Sequence, residues 1–432
     1  MIQPGGKIIT ALAALLACGP LLAESETNSA GPRLTLADVA RLVGDRNPRL
    51  LAERETVAAA RADRRIAGAY PNPKLSFDHF LPGGGEHTIF TGDRQEQIAV
   101  EIPLLIPGQR SSRIAKADAD IAAAQAHVAA GTGVLAGDAS LSFMRLLAFQ
   151  EKTAVISNAF ADVTHLKDAV AGRLAEGAAS AYDLTRVEVE LGVVGSRLEG
   201  ARSESAAESA QLASLLGLTN GLPAAAGLLQ PWELQPGILY DSRPAAFDTP
   251  AVVAATRDVA AAEAGIKAAK RNRWPELSVG VGHTWTQHPF GAADFFGLNI
   301  EIPIFDTRLG QVDKARSDAR AAEARRNAVS SETEAALRQL AETVRRRQAA
   351  LDRDSTDIEP RLAHLKQMAA DAYALGRHTL LESLDAEQAR REVTLEHIET
   401  VTALVEAQIR YLAATGRLLP YLAPPNSPIR KP

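Results

Sequence analysis

Four of the nine histidines are the side chains in this sequence best suited to bind a transition-metal cation. They occur in two places, the first of which also carries acidic residues: His79, His87, Glu86 and Asp93, and later His283 and His288. Imidazole and carboxylate groups are common zinc ligands, but a closed site needs four of them at defined spacings. These spacings do not form such a set. We therefore predict no metal site and no cofactor, with weak collection of cations at these loops as the minor alternative.

Residue patterns that support catalysis are absent from the sequence. It contains no glycine-rich phosphate loop after a strand, no Cys/His cluster at ligand spacing and no nucleophile elbow. The formal net charge of −5 over 432 residues gives no reason to expect a nucleic-acid partner. We predict that the protein is not an enzyme and does not bind nucleic acid.

The amino terminus carries an export signal. Lys7 is followed by an apolar run that is too short to span a bilayer, which is typical of a signal peptide covering residues 1–23. The only cysteine, Cys18, follows Leu15-Leu16-Ala17, which resembles the lipobox of bacterial lipoproteins. In that case the signal ends at residue 17 and Cys18 is the lipid attachment site. The alternative is ordinary cleavage after Ala23.

The rest of the chain is organised by a duplication. Glu101-Ile102-Pro103 recurs 200 positions later as Glu301-Ile302-Pro303, and each copy leads from an alternating stretch into an Ala-rich helix. We predict two repeats, 34–216 and 250–416, joined by a linker or equatorial region at 217–249. Residues 417–432 are predicted to be an irregular tail.

Each repeat contains a predicted β-hairpin. The four strands are expected at 74–80, 95–102, 277–285 and 296–302, because apolar residues alternate there with small or polar ones. This pattern favours a transmembrane β-barrel, with a soluble antiparallel sheet packed on helices as the alternative. Four strands cannot close a barrel, so the chain must oligomerise to give eight or twelve strands. Glycines and Ser278 on the polar face favour the wider ring.

Long helices follow both hairpins. One runs from Arg110 to about Gly172, which at 1.5 Å per residue reaches roughly 90 Å, and the other covers 308–357. Each ends at a break and returns, the first over 182–216 and the second over 380–415. The breaks match each other, because Gly177, Ser180 and Asp183 recur as Gly376, Thr379 and Glu382. Ser180 has the character of a helix N-cap with Asp183 in the first turn.

This plan resembles the outer-membrane efflux protein family, the TolC-type outer membrane factors, over nearly all of the mature chain. The resemblance implies a mainly α fold with a membrane β-barrel: a homotrimer with a twelve-strand barrel, four strands per chain, continuous with a periplasmic α-helical tunnel. It also implies a location in the outer membrane, in contact with its lipid. The implied partners are a periplasmic adaptor (membrane fusion protein) and an inner-membrane resistance-nodulation-division pump.

Local motifs are most similar to the cobalt-zinc-cadmium-type subgroup. They are Tyr70-Pro71-Asn72-Pro73-Lys74-Leu75-Ser76, a glycine-rich first loop and Pro107-Gly108-Gln109-Arg110, where the subgroup has Gly-Lys-Arg. The implied function is an exit channel for heavy-metal cations in a tripartite efflux system. One alternative is a multidrug, small-molecule or type I secretion channel, and a second is a soluble periplasmic coiled-coil scaffold.

The resemblance also assigns roles to the two breaks, which become the periplasmic tip where the adaptor docks and the tunnel closes. The tip residues are Gly177, Ser180, Asp183, Leu184, Gly376, Thr379 and Glu382. Tyr373 falls at the position of a gating tyrosine, and Asp183 at the position of its hydrogen-bond partner. Without the resemblance, Asp183 is interpreted as a helix cap and Tyr373 as a packing residue.

Overall fold

The computed structural model describes residues 31–80, 95–234, 248–286, 291–357, 361, 368 and 380–422. Helices dominate these residues and six strands accompany them. In chain order the elements are β1 (Arg33–Leu34), α1 (Leu36–Arg46), α2 (Pro48–Gly68), β2 (Lys74–Phe80), β3 (Gln95–Leu104), α3 (Gln109–Ala175), α4 (Ala181–Leu216), β4 (Ala224–Ala225), α5 (Pro250–Arg271), β5 (Glu276–Thr286), β6 (Ala292–Glu301), α6 (Leu309–Asp357), α7 (Leu380–Ala414) and α8 (Leu418–Leu422). None of the described helices is long and apolar enough to cross a membrane.

The first helical segment divides at Asn47. Its side-chain Oδ1 accepts hydrogen bonds from the backbone N–H groups of Arg49 and Leu50 at 2.9 and 3.1 Å, which caps α2. Pro48 occupies the first turn, where its missing N–H has no helical partner to lose. The Asn47 amide also donates to the carbonyl of Leu215 at 2.7 Å. One buried asparagine therefore starts α2 and ties it to the end of α4.

The four long strands form one antiparallel sheet in the order β2-β3-β5-β6. The two hairpins are joined along β3 and β5, where Ile102 pairs with Val279. The predicted end of β3 at Ile102 is wrong, because the strand continues through Pro103, which pairs with Ser278, to Leu104. Pairing with β2 reaches only Glu101, which lies opposite Lys74, the first residue of β2. On that side of Pro103 no described strand therefore needs a backbone N–H, which proline lacks.

The long helices lie beyond the end of the sheet at which β3 leads into α3, and they form two layers. In the first layer α2 packs on α3, α3 on α5, and α5 on α6. In the second layer α4 packs back on α3, and α7 packs on α3 and α6. Helix α3 has 67 residues, so it extends about 100 Å, far beyond the dimensions of an ordinary globular domain. Its first residue follows Gly108, whose φ of +93° makes the sharp turn out of β3.

The main core lies midway along the helices, where both layers meet. It includes Phe143 of α3, Leu216 of α4 and Tyr411 of α7. The described part of the predicted linker, 217–234, belongs to this core layer: β4 pairs in parallel with β1, and Gln408 exchanges two 2.9 Å hydrogen bonds with the backbone of Trp232.

The predicted irregular tail is wrong for its described residues. Leu418–Leu422 forms α8, because Leu418 is buried in the core and the ring of Tyr421 stacks on Trp232 at 5.1 Å. Strand bounds also differ from the prediction: β5 is longer by one residue at each end, and β6 starts at Ala292 instead of residue 296. The first residues of β6 do not alternate, and their strand conformation comes from pairing with β5.

Candidate functional site

The register of the sheet separates its residues into two chemically different faces. Antiparallel partners lie on the same face, so the observed pairing collects most of the large apolar side chains of the four strands on one side. The exposed members of this apolar face are Leu75, Phe77, Ile98, Ile102, Leu104, Val281, Trp285, Phe296, Leu298 and Ile300. No helix packs extensively against this sheet in the described part of the chain.

The opposite face is small and polar. Its residues include Ser76, Asp78, Gln97, Ala99, Glu101, Ser278, Gly280, Gly282, Gly297 and Asn299, and its large exposed apolar side chains are Phe80 and Phe295. Gly282 has a packing reason, because a Cβ there would lie 2.4 Å from the ring of Phe295 and 2.5 Å from the carbonyl oxygen of Ile98. This polar face is the one that a water-filled lumen requires.

Two of the histidines weighed as cation ligands lie on the apolar face near its loop end. His79 Nδ1 is 3.3 Å from Glu96 Oε1, and His283 Nδ1 is 2.6 Å from Asp294 Oδ1. The ring of His283 also meets Trp285 edge-on at 4.5 Å between ring centroids. Each imidazole thus has one carboxylate partner, and the described residues contain no group of three or more His, Cys, Asp or Glu that could hold a metal ion.

The turn between sheet and helix is built from equivalent positions in the two repeats. Gly108 precedes α3 with φ of +93°, and Arg308, 200 positions later, precedes α6 with φ of +53°. Arg308 is the only non-glycine residue with positive φ among the described residues. Left-handed backbone costs a side-chain-bearing residue about 1–2 kcal/mol, so this turn needs compensating contacts.

Arg308 makes those contacts with three groups. Its backbone N–H donates to Asp306 at 2.9 Å, Nη1 donates to the carbonyl of Asn272 at 2.7 Å, and Nη2 donates to Glu276 at 2.8 Å. The hydrogen bond to Glu276 raises the pKa of the guanidinium above its ordinary value. The side chain therefore fixes the start of α6 against the end of α5 and the start of β5.

The predicted tip begins where α3 ends. Gly177 adopts φ of +75°, and Ser180 is the N-cap of α4. The Ser180 N–H and hydroxyl both donate to Asp183 Oδ2, at 3.0 and 2.7 Å, and the Asp183 N–H donates back to Ser180 Oγ at 3.1 Å. The hydrogen bond from the Ser180 side chain lowers the pKa of the Asp183 carboxyl, with a second contribution from its backbone N–H. Asp183 thus completes a capping box, although such boxes prefer glutamate.

The remaining predicted site residues divide into described and undescribed ones. Leu184 packs at the edge of the apolar cluster that contains Val187, and Glu382 lies in the exposed first turn of α7. Cys18, Tyr373, Gly376, Thr379, His87 and His288 lie outside the described residues.

A layer of charged residues, of which Arg391 is buried, lies above the tip. Arg391 of α7 is only 2% exposed, and its Nη2 donates to Glu190 of α4 at 3.2 Å. Its neighbour Arg390 approaches Asp162 of α3 at 3.5 Å and binds Glu387 at 2.7 Å. Within the described structure, the Nε of Arg391 is buried and has no hydrogen-bond partner.

This layer interrupts the apolar packing of α3, α4 and α7. On α4, Glu190 falls between Val187 of the lower apolar cluster and Val194 of the upper one. Glu190 is seven residues beyond Asp183, or about 10 Å along the helix. Sequence reasoning missed this contact, and the only available signal was the pair Arg390-Arg391 within an otherwise apolar helical period.

An exposed apolar sheet face, a small polar opposite face and helices about 100 Å long define an outer-membrane channel fold rather than a globular enzyme. The chain matches the family described as Outer membrane efflux protein over residues 40–218 and 245–417, and it belongs to that family. The family resemblance noted from the sequence is thus confirmed. Outer-membrane efflux channels are not enzymes.

Two curated relatives are named for metal resistance. The Cobalt-zinc-cadmium resistance protein CzcC of Cupriavidus metallidurans is 24% identical over 412 residues, covering 90% of this chain and 88% of the relative. The Nickel-cobalt-cadmium resistance protein NccC of Alcaligenes xylosoxydans xylosoxydans is 28% identical over 312 residues, covering 67% of this chain and 66% of the relative.

Solved structures show the same fold. The Campylobacter jejuni CmeC outer membrane channel matches with a TM-score of 0.71 at 14% identity, covering 96% of this chain and 94% of that one. The CusC structure matches with a TM-score of 0.70 at 19% identity, covering 88% and 91%. At these identities the likeness establishes the fold and leaves cargo and gating to be argued from this chain's own residues.

Proposed function

We propose that this chain is the outer-membrane channel of a tripartite efflux system, a passive exit duct for heavy-metal cations. Three copies would close a twelve-strand barrel that continues into a periplasmic helical tunnel. The observation that carries the proposal is the four-stranded sheet, which has one exposed apolar face, one polar face and two edges without a partner among the described strands.

The unpaired edges make assembly necessary if the sheet lies in lipid. β2 and β6 each pair on one side only among the described strands. Each backbone N–H or C=O left unsatisfied in hydrocarbon costs several kcal/mol, so an open sheet is not stable in a membrane. Two copies would supply eight strands, whose interior side chains nearly fill the bore. Three copies leave room for a water-filled lumen.

Metal cations are the favoured cargo. Both curated relatives described above carry metal resistance in their names. In addition, Glu101 and Glu301 occupy equivalent positions on the polar face of the sheet, and acidic side chains lining a pore favour cations. A periplasmic adaptor and an inner-membrane resistance-nodulation-division pump would deliver the cargo, and the pump would set its selectivity.

Location and assembly are tested by fractionation. We expect an oligomer of three chains that is extracted from the outer membrane only with detergent and that conducts ions in a planar bilayer. A monomer recovered without detergent would refute the channel and support the soluble scaffold. For cargo, deletion of the gene should raise sensitivity to zinc, cobalt and cadmium. Sensitivity to drugs alone would support the multidrug alternative.

The tip is proposed as the gate, with Tyr373 donating a hydrogen bond to Asp183. The capping box occupies Asp183 Oδ2, which leaves Oδ1 for a second donor. Such a hydrogen bond is worth about 1–3 kcal/mol, enough to hold a helix pair closed and weak enough to yield when an adaptor docks. The adaptor would dock on the tip around Gly177, Leu184 and Glu382.

The gate is tested by single-channel conductance. Tyr373→Phe removes only the donor hydroxyl, so conductance should rise while the cap of α4 stays intact. Asp183→Ala with Tyr373→Phe should reach the same open level. Ser180→Ala is the matched control, because it weakens the cap and leaves the proposed donor in place. Unchanged conductance in Tyr373→Phe would remove the gate assignment.

The lipid anchor is a separate proposal about Cys18. Acyl chains attached to Cys18, as the first residue of the mature chain, would increase the affinity of the protein for the membrane. Mass spectrometry of the purified protein should show an acylated Cys18 as the first residue. A free Glu24 at the amino terminus would show ordinary cleavage after Ala23 instead.

A further inference from the structure

The row of helices, like the sheet, ends on two sides without a neighbour. The sheet order is β2-β3-β5-β6, and the helices below it pack in the matching order α2-α3-α5-α6. Within the described chain α2 and α6 are not packed on each other. The first and last helices therefore each expose a flank.

Because of the internal repeat, each position on α2 or α3 has an equivalent position on a later helix. Residues of α2 recur 202 positions later in α5, as for Pro48 and Pro250, and residues of α3 recur 200 positions later in α6. The packing of α2 on α3 is matched by the packing of α5 on α6. Each pair carries a hydrogen bond from an arginine, although the two arginines are not counterparts in the repeat: Arg110 donates to the carbonyl of Gly68 at 2.7 Å, and Arg308 donates to the carbonyl of Asn272 at 2.7 Å. Both bonds join the start of one long helix to the end of the helix before it.

The contact between α3 and α5 has no repeat within the part of the chain that the structure describes. Its counterpart would join α6 to α2, which lie at opposite ends of the row. Burial identifies the surface involved. Helix α5 buries three alanines at seven-residue spacing, whereas their counterparts on α2 are exposed: Ala254, Ala261 and Ala268 on α5, and Ala52, Ala59 and Ile66 on α2. Ile66, an isoleucine on a polar helix, is 70% exposed.

The exposed flanks of α2 and α6 carry opposite charges at two positions whose equivalents on α5 and α3 lie close together. Between α3 and α5, the Lys116 side chain lies 3.8 Å from where a Cβ on Gly265 would be. The counterparts of these residues are Arg316 on α6 and Asp63 on α2. Asp63 is exposed and has no ion-pair partner in the described chain, and Arg316 contacts only Asp313, one turn away on its own helix.

We propose that α6 docks on α2 of a second copy of this chain, which buries Ile66 and forms an ion pair between Arg316 and Asp63 across the boundary. This inference rests on the proposed oligomeric channel and specifies its helical seam. A closed ring would repeat the seam at every boundary, so each chain would contribute both of its free flanks. Helix contacts within a chain and helix contacts between chains would then alternate around the tunnel wall and be nearly equivalent.

Charge reversal tests the seam in the full-length protein in detergent. Asp63→Arg and Arg316→Asp should each speed dissociation of the oligomer about tenfold or more, because like charges would then face each other. The double variant restores opposite charges and should recover most of the wild-type half-life. Glu55→Arg is the matched control, because Glu55 is an exposed acid on α2 whose counterpart Arg257 is also exposed on α5. It should leave the half-life unchanged.

The outcomes separate this inference from the proposed function. Single variants with the wild-type half-life, or a double variant no better than the singles, would overturn the seam while a conducting trimer kept the channel proposal intact. A wild-type chain that is a monomer without detergent would refute the channel itself. Ile66→Ser provides an uncharged check, since it should weaken the oligomer without altering the helical content of the chain.

Discussion

The buried pair of Arg391 and Glu190 is expected to hold α7 against α4, and removing one partner measures how strongly. Glu190→Ala would leave a guanidinium that is 2% exposed without its anion, and its Nε already lacks a partner in the described structure. Breaking a buried ion pair in this way costs about 3–5 kcal/mol. Because the Glu190 side chain keeps 25% of its exposure, the lower end of that range, about 3 kcal/mol, applies.

The expected readout is local opening rather than global unfolding. A cost of about 3 kcal/mol raises the population of the open state roughly a hundredfold, since every 1.4 kcal/mol is a factor of ten. Amide hydrogen exchange measured by mass spectrometry should therefore accelerate by about that factor in 187–194 of α4 and 384–395 of α7. Exchange in the main core around Phe143 should not change, because it lies in a separate apolar cluster.

Two variants make the result interpretable. Arg390→Met is the matched control on the same helix: its side chain is 24% exposed and its shortest ion pair is with Glu387 one turn away, so the effect should stay below tenfold. Glu190→Leu with Arg391→Met replaces the pair by apolar groups and should recover most of the protection. Equal acceleration in Glu190→Ala and Arg390→Met would refute the assigned role of the buried pair.

Three further predictions concern the turn, the tip and the first helix break. Arg308→Gly should be more stable than Arg308→Ala by about 1 kcal/mol in thermal unfolding followed by circular dichroism, because glycine relieves the left-handed backbone while both variants lose the same contacts; equal stabilities would argue against strain there. The lowered pKa of Asp183 means that its ionised form stabilises the cap, so amide protection at the start of α4 should be full above about pH 4 and fall as pH drops through the lowered pKa, whereas Asp183→Asn should show no such step. Asn47→Ala should lower the free energy of unfolding by about 2–3 kcal/mol, since it removes a cap and leaves the Leu215 carbonyl without its donor; a loss below 0.5 kcal/mol, about the effect of an ordinary surface change, would contradict that role.

Local patterns predicted the parts of the fold that local chemistry determines. The alternation in 74–80 and the cap at Ser180 were readable, because each depends on residues within one or two turns of each other. The joining of the hairpins along β3 and β5 was not, since it pairs residues about 180 positions apart and leaves no periodic signal. The same limit hid the contact between Glu190 and Arg391, because each looks like an ordinary solvated charge on its own helix.

Where the structure departed from the prediction, tertiary contacts overrode a local rule. Pro103 was expected to end its strand, yet the strand continues to Leu104 because β5 still pairs with it there, while β2 pairs no further than Glu101. Leu418 lies two residues after Gly416 in a proline-rich tail, yet burial in the core makes a helical turn there favourable. In both places the missing information was the position of a neighbour, which neither propensity nor period contains.

The two repeats differ most in the pairing of α3 with α5. This pair forms within the chain, whereas its counterpart, α6 with α2, forms between chains in the proposed assembly. Helix α5, which packs on α3, buries alanines such as Ala268 within the chain itself. The corresponding flank of α2 stays in water until a second copy arrives, and a wholly apolar stripe there would favour nonspecific association. Asp63 and Arg316 keep these flanks soluble and penalise a wrong register, because like charges placed together at an interface cost several kcal/mol. Ile66 then supplies, in a single large side chain, the apolar contact that the smaller alanines supply inside the chain.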